Sequence, residues 1–346
     1  MPGVEETRAR ARTELPPRWS YQAGDYVVAA EISADGAWCA LGTGAGELIG
    51  LDLATGGERF RVRAHPAVLG VTIEPGSGRI ASCGQDGKAA LWSDRGERLA
   101  ELAGSTAGRA WVEQVAWAPR GGTLATAAGR AVRLWSDGGQ LLYEAAQAES
   151  AVTGLAWRRD GGELASSSYG EVRLLAAGGA AQRALRWKGS LISIAWSPDG
   201  KVLACGSQDC SVHFWRLPSG QDAQMSGYPF KAKALAWDRD SSLLATSGDA
   251  AVTLWDFRGK GPEGTRPLSL SAHRGLCTQL AFAPGKALLA SGSADTSVLL
   301  WEPRRGERPV RFAFLQDEVT ALAWHPQRQG LLGADASGGV AYWPLK

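Results

Sequence analysis

No run of about 18 apolar residues occurs anywhere in the 346 residues, so no membrane-spanning helix is encoded. The opening "MPGVEETRARARTELPP" has no apolar core of the kind a secretory signal needs, which points to the cytosol. Cysteine is sparse and odd in number. Cys39, Cys83, Cys205, Cys210 and Cys277 stand at irregular spacing, which suits buried, reduced thiols better than a disulfide framework. An excess of charge is also missing: 37 Lys and Arg stand against 35 Asp and Glu, a formal +2. That is too little for the basic stripe of a typical nucleic-acid-binding domain, and charge therefore names no partner. No long stretch carries a helical period. What the chain does have is 45% hydrophobic and 21% charged residues, enough for a large core in two domains or one large β architecture.

It also has repeats. Val115-Ala-Trp117, Leu155-Ala-Trp157, Ile194-Ala-Trp196, Leu235-Ala-Trp237, Leu280-Ala-Phe282 and Leu322-Ala-Trp324 share one opening, with weaker copies near Ile32 and Ile73. A turn such as "SPDG" follows, then an apolar stretch such as "LLASGS", a second turn, and a third strand. Those third strands end at Leu51, Trp92, Trp135, Leu175, Trp215, Trp255, Trp301 and Trp343, at intervals of 41, 43, 40, 40, 40, 46 and 42 residues. Short alternating apolar runs between Gly, Asp and Pro turns are strands, so the fold is expected to be all-β. A four-stranded unit of about 40 residues cannot bury both faces alone, and neighbouring units are expected to stack radially as propeller blades. Eight strand ends predict eight blades; seven blades with an irregular first segment is the alternative. The last unit stops just after Trp343 and lacks a fourth strand. "RWSYQAG" supplies one, with Trp19 and Tyr21 where Phe60 and Val62 stand in "RFRVRAH".

Over residues 18 to 343 the sequence resembles the WD-repeat (WD40) proteins. The resemblance implies a single closed β-propeller over residues 18–346 behind a flexible arm, 1–17. It also implies structural tetrads that link a His, a Ser or Thr, a turn Asp and the strand-ending Trp. Complete sets are His65, Ser82, Asp86 and Trp92 in the second blade and His273, Ser291, Asp295 and Trp301 in the seventh. Asp209 and Asp249 keep the turn place in the fifth and sixth blades without a His. Ala45, Gly129, Tyr169 and Ser337 occupy that place in the others.

Other chemistry-bearing patterns are weaker. Gly259, Gly261 and Gly264 spell G-x-G-x-x-G, but the motif lies between two strands and no helix follows to hold a pyrophosphate, so a turn is expected. Ser82, His65 and Asp86 supply the residue types of a catalytic triad, yet the resemblance gives them a structural task. Cys205, Cys210 and His213 fall short of the four ligands of structural zinc, and no metal or cofactor is expected. His325 has no acid to orient it.

The expected function is that of a noncatalytic scaffold, monomeric by itself, presenting loops to protein partners. The resemblance places the candidate binding residues on the top rim: Tyr26, Gln85, Trp111, Glu113, Gln208, Tyr228, Phe230, Lys231, Lys233 and Glu318. Trp111 stands out because Trp117 already fills the aromatic place of its repeat. "GYPFKAK" combines aromatics with lysines, a composition suited to an acidic partner. The alternatives are a propeller enzyme or small-ligand binder using the central channel, and a nucleic-acid adaptor using the arm residues Arg8, Arg10 and Arg12.

Overall fold

The computed structural model describes residues 13–103, 110–285, 287–327 and 330–345, with only the backbone of 181 and 182. Among them every regular element is a strand. The chain divides into two compact units, Val28–Trp196 and Met1–Val27 with Ser197–Lys346.

In the first unit the sheets follow the repeats. Val27–Ile32, Trp38–Thr43, Glu47–Asp52 and Glu58–Arg63 form one antiparallel sheet, and Val68–Ile73, Ile80–Gly84, Lys88–Trp92 and Arg98–Ala103 the next. Val112–Trp117, Leu124–Ala128, Ala131–Trp135 and Leu141–Glu144 form a third. Gly154–Trp157, Glu163–Ser167, Tyr169–Ala176 and the 16-residue strand Ala181–Trp196 follow. That last strand is continuous where the repeat pattern suggests a break before Ser190. The middle strands, such as "IASCG" and "LATAA", are buried at every position, so they carry small apolar residues on both faces. The outer strand Glu58–Arg63 alternates instead, with Phe60 and Val62 half-buried and the three arginines turned outward.

The second unit repeats the plan. Leu235–Trp237, Leu243–Thr246, Val252–Asp256 and Leu268–Leu270 make one sheet, and Cys277–Phe282, Leu289–Ser293, Ser297–Trp301 and Arg311–Phe314 another. Val319–Trp324, Gly330–Asp335 and Gly339–Pro344 lack an outer strand of their own. Trp19–Gln22 takes that place, with Trp19 opposite Tyr342 and Tyr21 opposite Val340. The rings of Trp19 and Tyr342 stack at 5.8 Å. Thr13–Glu14 adds a short parallel strand to Arg311–Phe314, and Leu15 enters the core beside Leu300, Leu331 and Trp343. The flexible arm expected over 1–17 therefore does not extend to Thr13–Leu15, which backbone pairing and apolar burial hold in place. Its first twelve residues lie outside the described residues.

The repeated Ala-Trp pair has a physical purpose. The indole N–H that ends one first strand donates to the Ala carbonyl of the preceding repeat: Trp157 to Ala116 (3.0 Å), Trp196 to Ala156 (3.0 Å) and Trp324 to Ala281 (2.9 Å). Each bond satisfies a buried donor while tying one sheet to the next. At Gly46, φ is +92° and a Cβ would stand 1.9 Å from the His65 carbonyl oxygen, so this turn admits only glycine.

Candidate functional site

In the second sheet His65 bridges Ser82 and Asp86. Its Nε2 lies 2.8 Å from Ser82 Oγ and its Nδ1 3.0 Å from Asp86. Trp92 Nε1–H donates to the same Ser82 oxygen at 2.8 Å. One proton order satisfies the whole chain: Trp92 to Ser82, Ser82 to His65 Nε2, His65 Nδ1–H to Asp86. The Ser82 hydroxyl is fully buried and engaged on both sides, so it has no room to act as a nucleophile.

The seventh repeat departs from this pattern. His273 Nε2 meets Ser291 Oγ at 2.6 Å and Trp301 Nε1–H donates to Ser291 at 2.8 Å. His273 Nδ1, however, bonds Ser297 Oγ at 2.7 Å and stands 3.8 Å from Asp295. Ser297 relays the contact by donating its own proton to Asp295. Asp295 also accepts from the backbone amides of Arg274, Gly275 and Ser297. Burial works against its charge, but His273, the Arg274 amide and Ser297 outweigh it and hold the carboxyl well below the usual carboxylate range. A depressed carboxylate pKa stabilises the fold above the unfolded value of about 4, and this contribution is lost as pH falls through the folded pKa. Asp249, in contrast, accepts only the adjacent Ala250 amide among the described contacts. Asp295→Ala is expected to cost about 2–3 kcal/mol at pH 7 and Asp249→Ala under about 1 kcal/mol, with the difference shrinking below pH 4 in urea melts. The reverse order would show that the turn carboxylate at 295 is dispensable.

Two members of this buried system escaped the sequence reading. Tyr228, placed there on the partner-binding rim, is only 9% exposed. Its hydroxyl lies 2.8 Å from Thr246 Oγ1 and accepts from Trp255 Nε1–H at 2.6 Å. It thus occupies the histidine place of the sixth repeat and is withdrawn from the rim, because a buried indole N–H needs an acceptor there. The interval gives it away: Tyr228 precedes Trp255 by 27 residues, as His65 precedes Trp92. In the last repeat Asp335 does the work of the missing turn acid. It is fully buried and accepts from the amides of Gln316, Ser337 and Gly339. It sits two residues before the place where Ser337 stands.

The remaining rim residues are exposed at the end of each sheet where first strands open and second strands turn into third. In the unit Val28–Trp196, Trp111 is 48% exposed and Tyr169 58%. The carbonyl of Ala110, next to Trp111, packs 3.0 Å from the Cβ position of Gly87, in the turn that His65 braces through Asp86. Gln85 and Glu113 are exposed nearby in the same two repeats. In the other unit Phe230 is 53% and Leu276 43% exposed. They flank one turn, since the Phe230 amide donates to Gly248 O and the Cys277 amide to Asp249 O. Lys231, Lys233 and Gln208 are exposed at the same end. Tyr26 lies close enough to Glu318 that burial first and this carboxylate second raise its phenol pKa. Tyr169 and Leu276 therefore join the candidate surface on exposure alone.

Elsewhere the chemistry is structural. The Gly259–Gly264 segment joins Val252–Asp256 to Leu268–Leu270 and is pinned by Arg216, which donates to Lys260 O and Glu263 at 2.8 Å. Cys205 stands opposite His213 on the neighbouring strand, but burial pushes the thiol far up, away from the thiolate a metal needs. Burial lowers His213 to about 4 despite Asp222 and Asp209, keeping it neutral at pH 7. Among the described residues no group of three or more His, Cys, Asp or Glu is placed to hold a metal ion. His325 is buried and its Nδ1 accepts the Gln327 amide at 3.0 Å, which ties its own turn. Glu31, half-buried on an opening strand, was not foreseen: it accepts the Ile73 amide at 3.0 Å, and desolvation raises it to about 7.

The crystal structure of the computationally designed Ika8 protein superposes with a TM-score of 0.79, at 21% identity, over 96% of this chain and all of that one. Among curated proteins the chain is similar to Protein HIR1 of Mycosarcoma maydis (28% identical, 45% of this chain, 18% of that protein). It is similar also to THO complex subunit 3 of Arabidopsis thaliana (30% identical, 38% and 42%) and Protein FIZZY-RELATED 1 of the same plant (28%, 44% and 32%). Each match spans less than half of the relative's own length. The family model "WD domain, G-beta repeat" matches residues 56–93, 96–136, 183–216, 224–256 and 264–302, more than half of the sequence. With the all-β repeats and the His-Ser-Asp-Trp network described above, the chain belongs to the WD domain, G-beta repeat family and has a β-propeller type of fold.

Proposed function

We propose that this protein is a noncatalytic, eight-bladed interaction scaffold that binds protein partners through the turn end of its sheets. The observation carrying this reading is the exposure of Tyr26, Trp111 and Leu276 immediately before the first strands of their repeats, with Tyr169 and Phe230 exposed at the same end of their own sheets. Exposed aromatics on a rigid frame are the anchors that dominate protein interfaces, at small entropic cost. Lys231 and Lys233 beside Phe230 favour a partner surface with acidic character in that segment. Eight third-strand ends and the donated strand Trp19–Gln22 support the blade count and a ring closed through the last sheet. One relative is by its name a subunit of a complex, which accords with a role in assembly.

The test uses a purified partner recovered on the wild-type chain. Trp111→Ala, and separately Lys231→Glu with Lys233→Glu, are expected to weaken its binding about thirtyfold, equivalent to about 2 kcal/mol, with melting unchanged. Arg266→Ala lies in the Gly-rich connection at the other end of its sheet and should leave binding intact. Retention of the partner by both rim variants, with loss in Arg266→Ala, would move the interface to the opposite end.

A further inference from the structure

The geometry points to a binding site for a small, uncharged aromatic molecule at the end of the sheets opposite the exposed aromatics. In the unit Met1–Val27 with Ser197–Lys346, a cavity of about 520 Å³ opens there between the sheet of Ser297–Trp301 and that of Val319–Trp324. Leu288, Leu300, Val310, Trp324 and Leu345 give it an apolar lining, and its size falls within the range of small-molecule sites. Other repeats show what fits in this place. Where the fifth repeat meets the sixth, the Phe257 ring lies 5.1 Å from that of Phe214 and 4.6 Å from that of Trp237, edge-on to both. At the cavity Leu345 follows Trp343 as Phe257 follows Trp255, Leu300 precedes Trp301 as Phe214 precedes Trp215, and Trp324 answers to Trp237. Leucines thus stand where that junction has two rings.

The outer strands tell the same story. In the unit Val28–Trp196, Phe60 opposite Gly50 and Tyr143 opposite Leu134 hold the place that Arg311 takes opposite Leu300. The turn from third to fourth strand in the following repeat covers each of those rings: a Cβ at Gly96 would stand 2.6 Å from Phe60, and one at Gly179 2.3 Å from Tyr143. Among the described residues no such turn crosses the cavity, because the last sheet takes its outer strand, Trp19–Gln22, from the N-terminal segment. The space is that of a ring, and it is open. Charge does not favour an ion there, since Arg304, Arg305, Arg308 and Arg311 stand among Glu302, Glu307, Asp238 and Asp240. Arg304 lies 3.2 Å from Asp238 and 3.8 Å from Asp240, and Arg305 2.8 Å from Glu302. A neutral ligand leaves these pairs intact. A guanidinium can also cover its ring, as Arg216 does 5.4 Å from the centre of Phe214, and Arg305 and Arg311 line the cavity for that contact.

The experiment uses the full chain and N-phenyl-1-naphthylamine, a neutral fluorophore whose emission rises in apolar surroundings. Saturable binding is expected, with an affinity that does not fall as salt rises. Leu300→Phe with Leu345→Phe gives this place the rings of Phe214 and Phe257, and Ala287→Trp fills the cavity from its wall. Each should weaken binding at least tenfold with normal melting. Trp111→Ala should leave the affinity unchanged, so failure here is separable from failure of the partner-binding rim. Indole should displace the fluorophore at a concentration at least threefold lower than cyclohexanol does. Wild-type affinity in either filled variant with normal melting, loss of binding as salt rises, or equal displacement by cyclohexanol would overturn the proposal. If a filled variant misfolds, the competition between indole and cyclohexanol on the wild-type chain still decides.

Discussion

Deleting residues 1–22 is expected to lower the stability of the chain by about 5 kcal/mol, whereas deleting residues 1–12 should change it little. The longer deletion removes two pieces of core, because Leu15 is buried beside Leu300 and Trp343 and Trp19 is buried against Tyr342. Full burial of a large apolar side chain contributes about 1.5–3 kcal/mol, and two of them set the magnitude. The deletion also strips the pairing partner from Gly339–Pro344 and the parallel strand from Arg311–Phe314, leaving two unpaired edges. Urea midpoints of the two truncations, compared with Leu15→Ala and Trp19→Ala singly, would apportion the effect. Equal midpoints for both truncations would contradict the role assigned to the donated strand.

Tyr228→Ala is expected to cost about 3–5 kcal/mol, as large aromatic truncations in a packed core do. It empties the space between two strands and leaves Trp255 Nε1–H without the acceptor it has at 2.6 Å. Tyr228→Phe keeps the ring and loses only the hydroxyl, so about 1–3 kcal/mol is expected for the orphaned indole donor. Tyr228→His should recover much of the loss relative to Ala, since an imidazole nitrogen fills the same place beside a hydroxyl in the second and seventh repeats. Denaturant melts of the three variants check the order. A Tyr228→Ala variant as stable as wild type would return this residue to the binding surface.

The strands were legible because the turn chemistry and the Ala-Trp openings recur at nearly constant intervals, and three of the Trp side chains that mark them, Trp157, Trp196 and Trp324, make the same inter-sheet bond. The donated strand was legible from alternation alone, with Trp19 and Tyr21 matching Phe60 and Val62. Tyr228 was misread because an aromatic next to Phe230 and two lysines looks like surface, while its distance from Trp255 shows it to be core. Asp335 was missed because the repeat register pointed to Ser337, and a two-residue offset in a tight turn leaves the carboxylate reach unchanged. Thr13–Leu15 and Arg133 could not be read locally. A two-residue strand has no period, and the burial of Arg133 beside Glu144 arises from tertiary packing. Of the rim, exposure followed from position in the repeat, since the openings of first strands must face solvent at the ends of the sheets.

Amide hydrogen exchange of the full chain, with and without a saturating bound protein partner, tests the binding end most directly. The account predicts slowed exchange in the openings and turns around Gln85–Gly87, Trp111–Glu113, Tyr169, Phe230–Lys233, Gly248–Asp249 and Leu276, with the outer strands unchanged. Slowing confined to the outer strands Arg98–Ala103 and Leu141–Glu144, where Leu99, Leu141 and Leu142 are exposed, would contradict it.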